Sequence, residues 1–236
     1  DNEERVMEIA ENFRKRDIPC DTIYLDIDYM DGYRVFTWDN ERFKNPEDMI
    51  KKLKEMGFKV VTIIDPGVKV DKNYKIYKEG LENKYFATDK NDITYVNEVW
   101  PGDAVYPDFL NSNVREWWAD NQKIMMDAGV SGIWNDMNEP ASFRGPLPDD
   151  VMFNNDGIPV EHREAHNVYG HFMAKATYEG IKSSINKRPF IVTRAGYAGT
   201  QKYSTVWTGD NQSTWEHLRM SVPMLMNMGL SGMTFC

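Results

Sequence analysis

Val6, Ile9, Ala10 and Phe13 recur at i, i+3, i+4 and i+7, the apolar stripe of an amphipathic helix over roughly residues 3–16. After Pro19 the period changes. Thr22-Ile23-Tyr24-Leu25-Asp26-Ile27-Asp28 is a short β-branched and aromatic run that predicts a largely buried strand. Asn45 as N-cap, Pro46 at the first helical position, Glu47 and Asp48 in the first turn and Gly57 just past the end predict a second helix. Phe58 to Ile64 is a continuous apolar strand that stops at Asp65-Pro66-Gly67. A long aromatic-rich loop is expected over about 68–110, followed by a helix from Val114 to Ala128 and a strand from Val130 to Trp134. A second long loop (about 137–165) leads to a helix near 167–185. Strands Phe190 to Thr193 and Thr205 to Thr208, a helix near 214–228 and a final apolar stretch from Leu230 to Cys236 follow. The gap of about ten residues between Arg194 and Thr205 is too short for a helical crossover, so a bare loop is expected there.

Strands apolar on both faces that alternate with helices imply a parallel sheet covered by helices, the α/β class. An open nucleotide-binding sheet usually carries a glycine-rich phosphate loop after its first strand. Neither G-x-G-x-x-G nor G-x-x-x-x-G-K-[ST] occurs, which favours a (β/α)₈ barrel. Barrels routinely spend about 250 residues on one domain, so residues 1–236 are read as one domain or most of one. Asp26, Asp28, Asp65, Asp136, Arg194 and Asp210 all fall where a strand gives way to a loop, and that rim is where barrel active sites lie.

Charge narrows the partners. With 28 Lys+Arg against 37 Asp+Glu the formal charge is −9, which repels phosphate backbones and anionic membranes, so neither nucleic acid nor a membrane is an expected partner. No apolar run approaches the ~20 residues of a membrane span. Cys20 and Cys236 are too few and too scattered for a disulfide framework, so both are expected to be buried thiols in a reducing, cytoplasmic setting. A homo-oligomer remains open.

Several Asp, one Arg and the indoles of Trp100, Trp134 and Trp207, with no Cys/His cluster, point to a neutral, hydroxyl-rich ligand. Sugar C–H faces pack on indoles, while their hydroxyls donate to carboxylates and accept from guanidinium groups in charge-assisted hydrogen bonds. Breaking a glycosidic bond needs two carboxyl groups, one to protonate the leaving oxygen and one to attack or to activate water. No metal or other cofactor is expected. Each Asp taken singly is as well explained as a turn former or helix cap. Trp117 and Trp118, and Met220, Met224 and Met228 at i+4 spacing, are expected in the core, and His166 and His171 at a helix start. Asp71 and Asn73 hint at a calcium loop, but the rest of the D-x-[DN]-x-[DN]-G pattern is missing.

Ile23-Tyr24-Leu25-Asp26-Ile27-Asp28-Tyr29-Met30-Asp31, Ile63-Ile64-Asp65-Pro66-Gly67, Gly132-Ile133-Trp134-Asn135-Asp136-Met137-Asn138-Glu139-Pro140, Thr193-Arg194-Ala195-Gly196 and Val206-Trp207-Thr208-Gly209-Asp210-Asn211 resemble, in this order, glycoside hydrolase family 31. The segment around Asp136 looks like the nucleophile signature of its α-glucosidase branch. The resemblance implies a retaining exo-acting α-glucosidase on a TIM barrel, with oligosaccharides as substrate. It implies Asp136 as nucleophile and Asp210 as general acid/base, Asp26 and Arg194 holding hydroxyls of the terminal glucose, and Asp65 lining the pocket. Trp100, Trp134, Met137 and Trp207 would wall the site. Two carboxylates at one site resist being charged together, and the paired acid and base roles follow from that. Family members also carry an earlier strand, a β-sandwich domain, a last strand and a substrate-binding His. The chain is therefore expected to be a partial barrel, about strands 2 to 7, inactive by itself. A related α-glycosidase, α-xylosidase-like or α-galactosidase-like, and a non-catalytic carbohydrate-binding barrel stay open as alternatives.

Overall fold

The computed structural model describes residues 1–233 and 235. Helix α1 (Glu3–Lys15) is capped by Asn2, whose side chain accepts from the Arg5 N–H, and buries Val6 and Ala10. Strand β1 (Thr22–Leu25) follows, then α2 (Pro46–Glu55), opened by the Asn45 cap and Pro46 as expected, and β2 (Lys59–Ile64). After β3 (Val68–Lys69), α3 (Lys75–Glu82), β4 (Val96–Val99) and β5 (Gly102–Val105) come α4 (Ser112–Asp127) and β6 (Gly132–Asn135). The chain continues through β7 (Met152–Phe153), β8 (Val160–Glu161), α5 (His162–Ser184), β9 (Ile191–Thr193), β10 (Thr205–Val206) and α6 (Trp215–Leu230).

The α/β expectation holds. Strands β1-β2-β6-β9-β10 form one sheet in that order, every neighbouring pair parallel. No α-helix crosses between β9 and β10, so the bare loop is also as expected; a short 3-10 turn at Thr200–Lys202 sits there instead. Helices pack on the sheet around a core that includes Ile50, Leu53, Val60, Ile63, Trp118, Ile133 and Tyr169. Gly132 is required where β6 meets the chain entering β9, because a Cβ there would lie 2.8 Å from the Phe190 carbonyl oxygen.

Several expectations are corrected. The loop read over 68–110 contains α3 and a three-stranded antiparallel sheet ordered β3-β5-β4, and the loop over 137–165 contains the β7–β8 hairpin. These strands are too short, and too interrupted by Asn97, Glu98 and Asp103, to show a two-residue period. In the final apolar stretch α6 runs to Leu230 and Phe235 makes a single parallel bridge to Val206, while Thr234 and Cys236 lie outside the described residues. Helix α6 buries none of its residues, so Met220 is exposed and Met224 and Met228 are half-buried; i+4 spacing marks a helix face without saying what covers it. Cys20 is half-buried, its Sγ 3.5 Å from the Thr22 carbonyl, and Trp117 is half-buried while Trp118 is fully buried. Asp71 accepts from the Asn73 N–H and pairs with Arg34 at 2.6 Å, which gives it a structural partner set in place of a calcium loop. Among the described residues no helix is long and apolar enough to cross a membrane.

Candidate active site

The parallel register assembles the site. Ile64 pairs with Asn135 and Asn135 with Thr193, so Asp65, Asp136 and Arg194 stand side by side, each the first residue beyond its strand. Side chains alternate between faces of a strand, and Asn135 turns away to accept from the Thr177 hydroxyl of α5, which leaves Trp134 and Asp136 on the opposite face. Val206 pairs with Thr193, which brings Trp207 level with Arg194 and Asp210 just beyond it.

Met137 follows Asp136 in the left-handed region, φ 54°, a conformation a non-glycine residue adopts at a cost of about 1–3 kcal/mol when its surroundings fix it. Its surroundings do so. Met137 is buried against Val99 and Ala104, so the antiparallel sheet missed at the sequence level is the floor of the turn carrying Asp136. Asn138, fully buried, donates to the Thr193 hydroxyl at 2.8 Å and accepts from the Ala195 N–H at 3.0 Å, tying this turn to both neighbours of Arg194.

Arg194 is the centre of the charge network. Its Nη1 lies 3.0 Å from Asp136 Oδ1 and 3.8 Å from Asp210 Oδ2, while Nε and Nη2 reach the two carboxylate oxygens of Glu139 at 2.8 and 2.9 Å. The Glu139 hydrogen bonds, followed by the Asp136 charge, hold its guanidinium even more firmly protonated than usual. Burial pushes the Asp136 carboxyl up to about 6, with Arg194 and the Met137 N–H pulling the other way and Glu139 and Asp210 adding to the rise. Asp210 is 89 % exposed at its side chain.

Asp65 sits deeper than a pocket wall requires, at 5 % exposure with Oδ1 buried and unpartnered, and burial, reinforced by the charge of Asp136, pushes it up to about 8. The folded state thus keeps a proton that the unfolded chain gives up near pH 4. The stability tied to that proton is full below about pH 4 and is lost as pH rises through 8. Asp65→Asn is expected to remove the loss. Urea unfolding should show the variant's advantage growing from pH 5 to pH 8, to the order of a few kcal/mol; an equal difference at both pH values would contradict a neutral Asp65.

The remaining candidates are placed less uniformly. Trp134 and Trp207 meet edge to face at 5.5 Å, both half-buried, and Tyr24 packs on Trp134 at 6.4 Å. Trp100, in the turn between β4 and β5, is 45 % exposed and packs on Phe143 at 4.9 Å. Asp26 is exposed and its side chain accepts from the Ile27 N–H at 2.7 Å, the cap that the structural alternative described. Glu139 and Asn138 are the residues that sequence reading passed over. His171 hydrogen-bonds Thr200 at 2.9 Å and His166 stacks on His162, so both pack, although α5 starts earlier than expected.

Residues 1–236 match the family model for the glycosyl hydrolases family 31 TIM-barrel domain. The chain is 54% identical over 239 residues to alpha-glucosidase 2 of Bacillus thermoamyloliquefaciens, covering 100% of the chain and 30% of that protein. It is 43% identical over 242 residues to a probable glucan 1,3-alpha-glucosidase of Oryza sativa subsp. japonica, covering 99% of the chain and 26% of the relative. Among solved structures, the glucosidase II alpha subunit bound to alpha3-Glc2 superposes with a TM-score of 0.93 at 36% identity, over 99% of this chain and 26% of that one. A family 31 alpha-glucosidase from Bacteroides thetaiotaomicron gives 0.85 at 44% identity, over 98% and 38%. The chain therefore spans less than a third of the curated relatives' length.

Proposed function

The chain belongs to glycosyl hydrolase family 31, and from that membership we propose that it carries the catalytic site of a retaining, exo-acting α-glucosidase releasing terminal α-glucose from oligosaccharides. The observation that supports this most is the single Arg194 nitrogen within ion-pair distance of both Asp136 and Asp210. One nitrogen reaching both gathers at one site the two carboxyl groups that glycosidic cleavage needs, and their separation is what distinguishes the two mechanisms. Retaining enzymes hold theirs about 5–5.5 Å apart, whereas inverting ones need about 6.5–9.5 Å to admit water.

In this reading Asp136, ionised above about pH 6, attacks the anomeric carbon while Asp210 gives its proton to the leaving oxygen. The ester then formed on Asp136 carries no charge, so Asp210 can take a proton from the water that releases glucose. Exposure of Asp210 suits a group that must meet first a leaving sugar and then water. Trp134, Trp207 and Met137 lie around the carboxylates, where they would pack on the sugar ring; Trp100, Asp26 and Asp65 complete the proposed pocket. The relatives named as α-glucosidases, and the neighbour bound to an α3-linked glucose disaccharide, support glucose as the sugar.

The test uses the full-length protein with maltose, isomaltose and a chromogenic α-xyloside, following the first-formed product by NMR. α-Glucose appearing first from the glucosides is expected. β-Glucose first would remove the nucleophile from the account, and preference for the xyloside would change the sugar.

A further inference from the structure

We propose that Glu139 is a positioning residue that occupies one edge of the Arg194 guanidinium, restricting this arginine to a single-nitrogen contact with Asp136. This rests on the assignment of Asp136 as nucleophile. A guanidinium offers its Nε–Nη2 edge as a fork matched to a carboxylate, and the paired geometry is the strongest it can make. If the fork were free, Asp136 is the nearest buried carboxylate to take it. Clamped through both oxygens, Asp136 would be held as a stable anion in the ground state, and that stabilisation would have to be given up on attack.

The observed geometry avoids this. Glu139 fills the fork at 2.8 and 2.9 Å, and Met137 Sδ lies 3.2 Å from Nη2. Only Nη1 is left for Asp136, and although the distance is 3.0 Å the Asp136 Oδ1 has no aligned hydrogen bond. Charge is thus supplied without a clamp. The backbone is built to keep Glu139 in that place. Asn138, the residue before it, is locked to Thr193 and Ala195, the residues on either side of Arg194, so the two partners are fixed to each other through their neighbours.

The charged groups facing Asp136 are Asp65 after β2, Glu139 on its own turn, Arg194 after β9 and Asp210 after β10, with Asp26 beyond Asp65. Removing the Glu139 charge has two consequences of one sign: a negative charge leaves the site, and the freed fork turns to Asp136. Both favour the Asp136 anion.

The experiment compares Glu139→Gln and Glu139→Asp with the wild type in the full-length protein, reading the pH profile of hydrolysis of a chromogenic α-glucoside. It also follows the Asp136 carboxyl by ¹³C NMR titration without substrate. For Glu139→Gln the acid limb and the carboxyl titration are expected to move down by about one pH unit. Its kcat should fall roughly 10²-fold while KM stays within about threefold. Glu139→Asp keeps the charge but is one methylene short of spanning the fork, so kcat should fall and the acid limb should move down by less than in Glu139→Gln, by the part that the freed fork supplies. A Glu139→Gln protein that is folded and slow but titrates unchanged, or higher, would show that Glu139 merely holds the turn, and the proposal would be wrong. If Glu139→Gln does not fold, Glu139→Asp decides: a lowered kcat together with a downward-shifted Asp136 titration supports the role, and an unshifted titration or wild-type kcat overturns it. Should the wild type prove inactive on α-glucosides, the proposed activity falls, and the titration still decides what Glu139 does to Asp136.

Discussion

Asp136→Ala is expected to abolish turnover of every α-glucoside, natural or activated, with a loss on the order of 10⁴-fold or more. The size follows from the role. A nucleophile forms the covalent bond of the first step, and no better leaving group compensates for its absence. Burial of Asp136 at the end of β6 adds a pH signature: with its carboxyl pushed up to about 6, the acid limb of wild-type activity should fall as pH drops through that value. The sign is fixed because only the ionised form attacks. Steady-state kinetics from pH 4 to 9 check both statements; residual turnover of an activated glucoside above about a hundredth of wild type would exclude Asp136 as nucleophile.

Asp210→Ala is expected to separate the two halves of the reaction. Natural glucosides need a proton on the leaving oxygen and should lose about 10²–10⁴-fold, the usual contribution of general acid–base catalysis. Activated glucosides need none, so the glycosyl-enzyme should still form and accumulate. Azide should then speed its release, because an anion attacks without a base, and the product should be the α-glucosyl azide. The exposed position of Asp210 leaves room for azide once the side chain is cut back. Equal losses on both substrate types, with no acceleration by azide, would assign Asp210 another task.

How far these roles could be read beforehand depended on the kind of signal each residue leaves. Asp136 and Arg194 end apolar strands, and in a parallel sheet adjacent strand ends meet in space whatever the loops do, so composition and order alone placed them together. Glu139 leaves no such mark: its partner is 55 positions away, and it sits before a proline in what reads as a loop. Asn138 is hidden for the same reason. The β3–β5 sheet under Met137 was missed because strands of two to four residues with polar members have no measurable period, and α3 because Tyr74 at its start provides no side-chain cap. Asp26 shows the opposite case. Its position at a strand end fits a pocket, yet the bond it makes in this structure is the ordinary cap that any strand-end Asp can make. Asp65 was placed at the rim by pattern, and only packing reveals that it is sealed in, neutral, beside the charge it would otherwise oppose.

The most direct test of the central claim, that Asp136 attacks the sugar, is to trap the covalent intermediate. The full-length protein would be incubated with a 5-fluoro-α-glucosyl fluoride, which slows both steps but leaves a reactive fluoride, then digested and sequenced by mass spectrometry. One fluoroglucosyl group is expected, on the peptide that contains Trp134-Asn135-Asp136-Met137, with the modification on Asp136. A stable adduct on Asp65, Glu139 or Asp210, or prompt turnover with no adduct at any concentration while α-glucosides are hydrolysed, would contradict it.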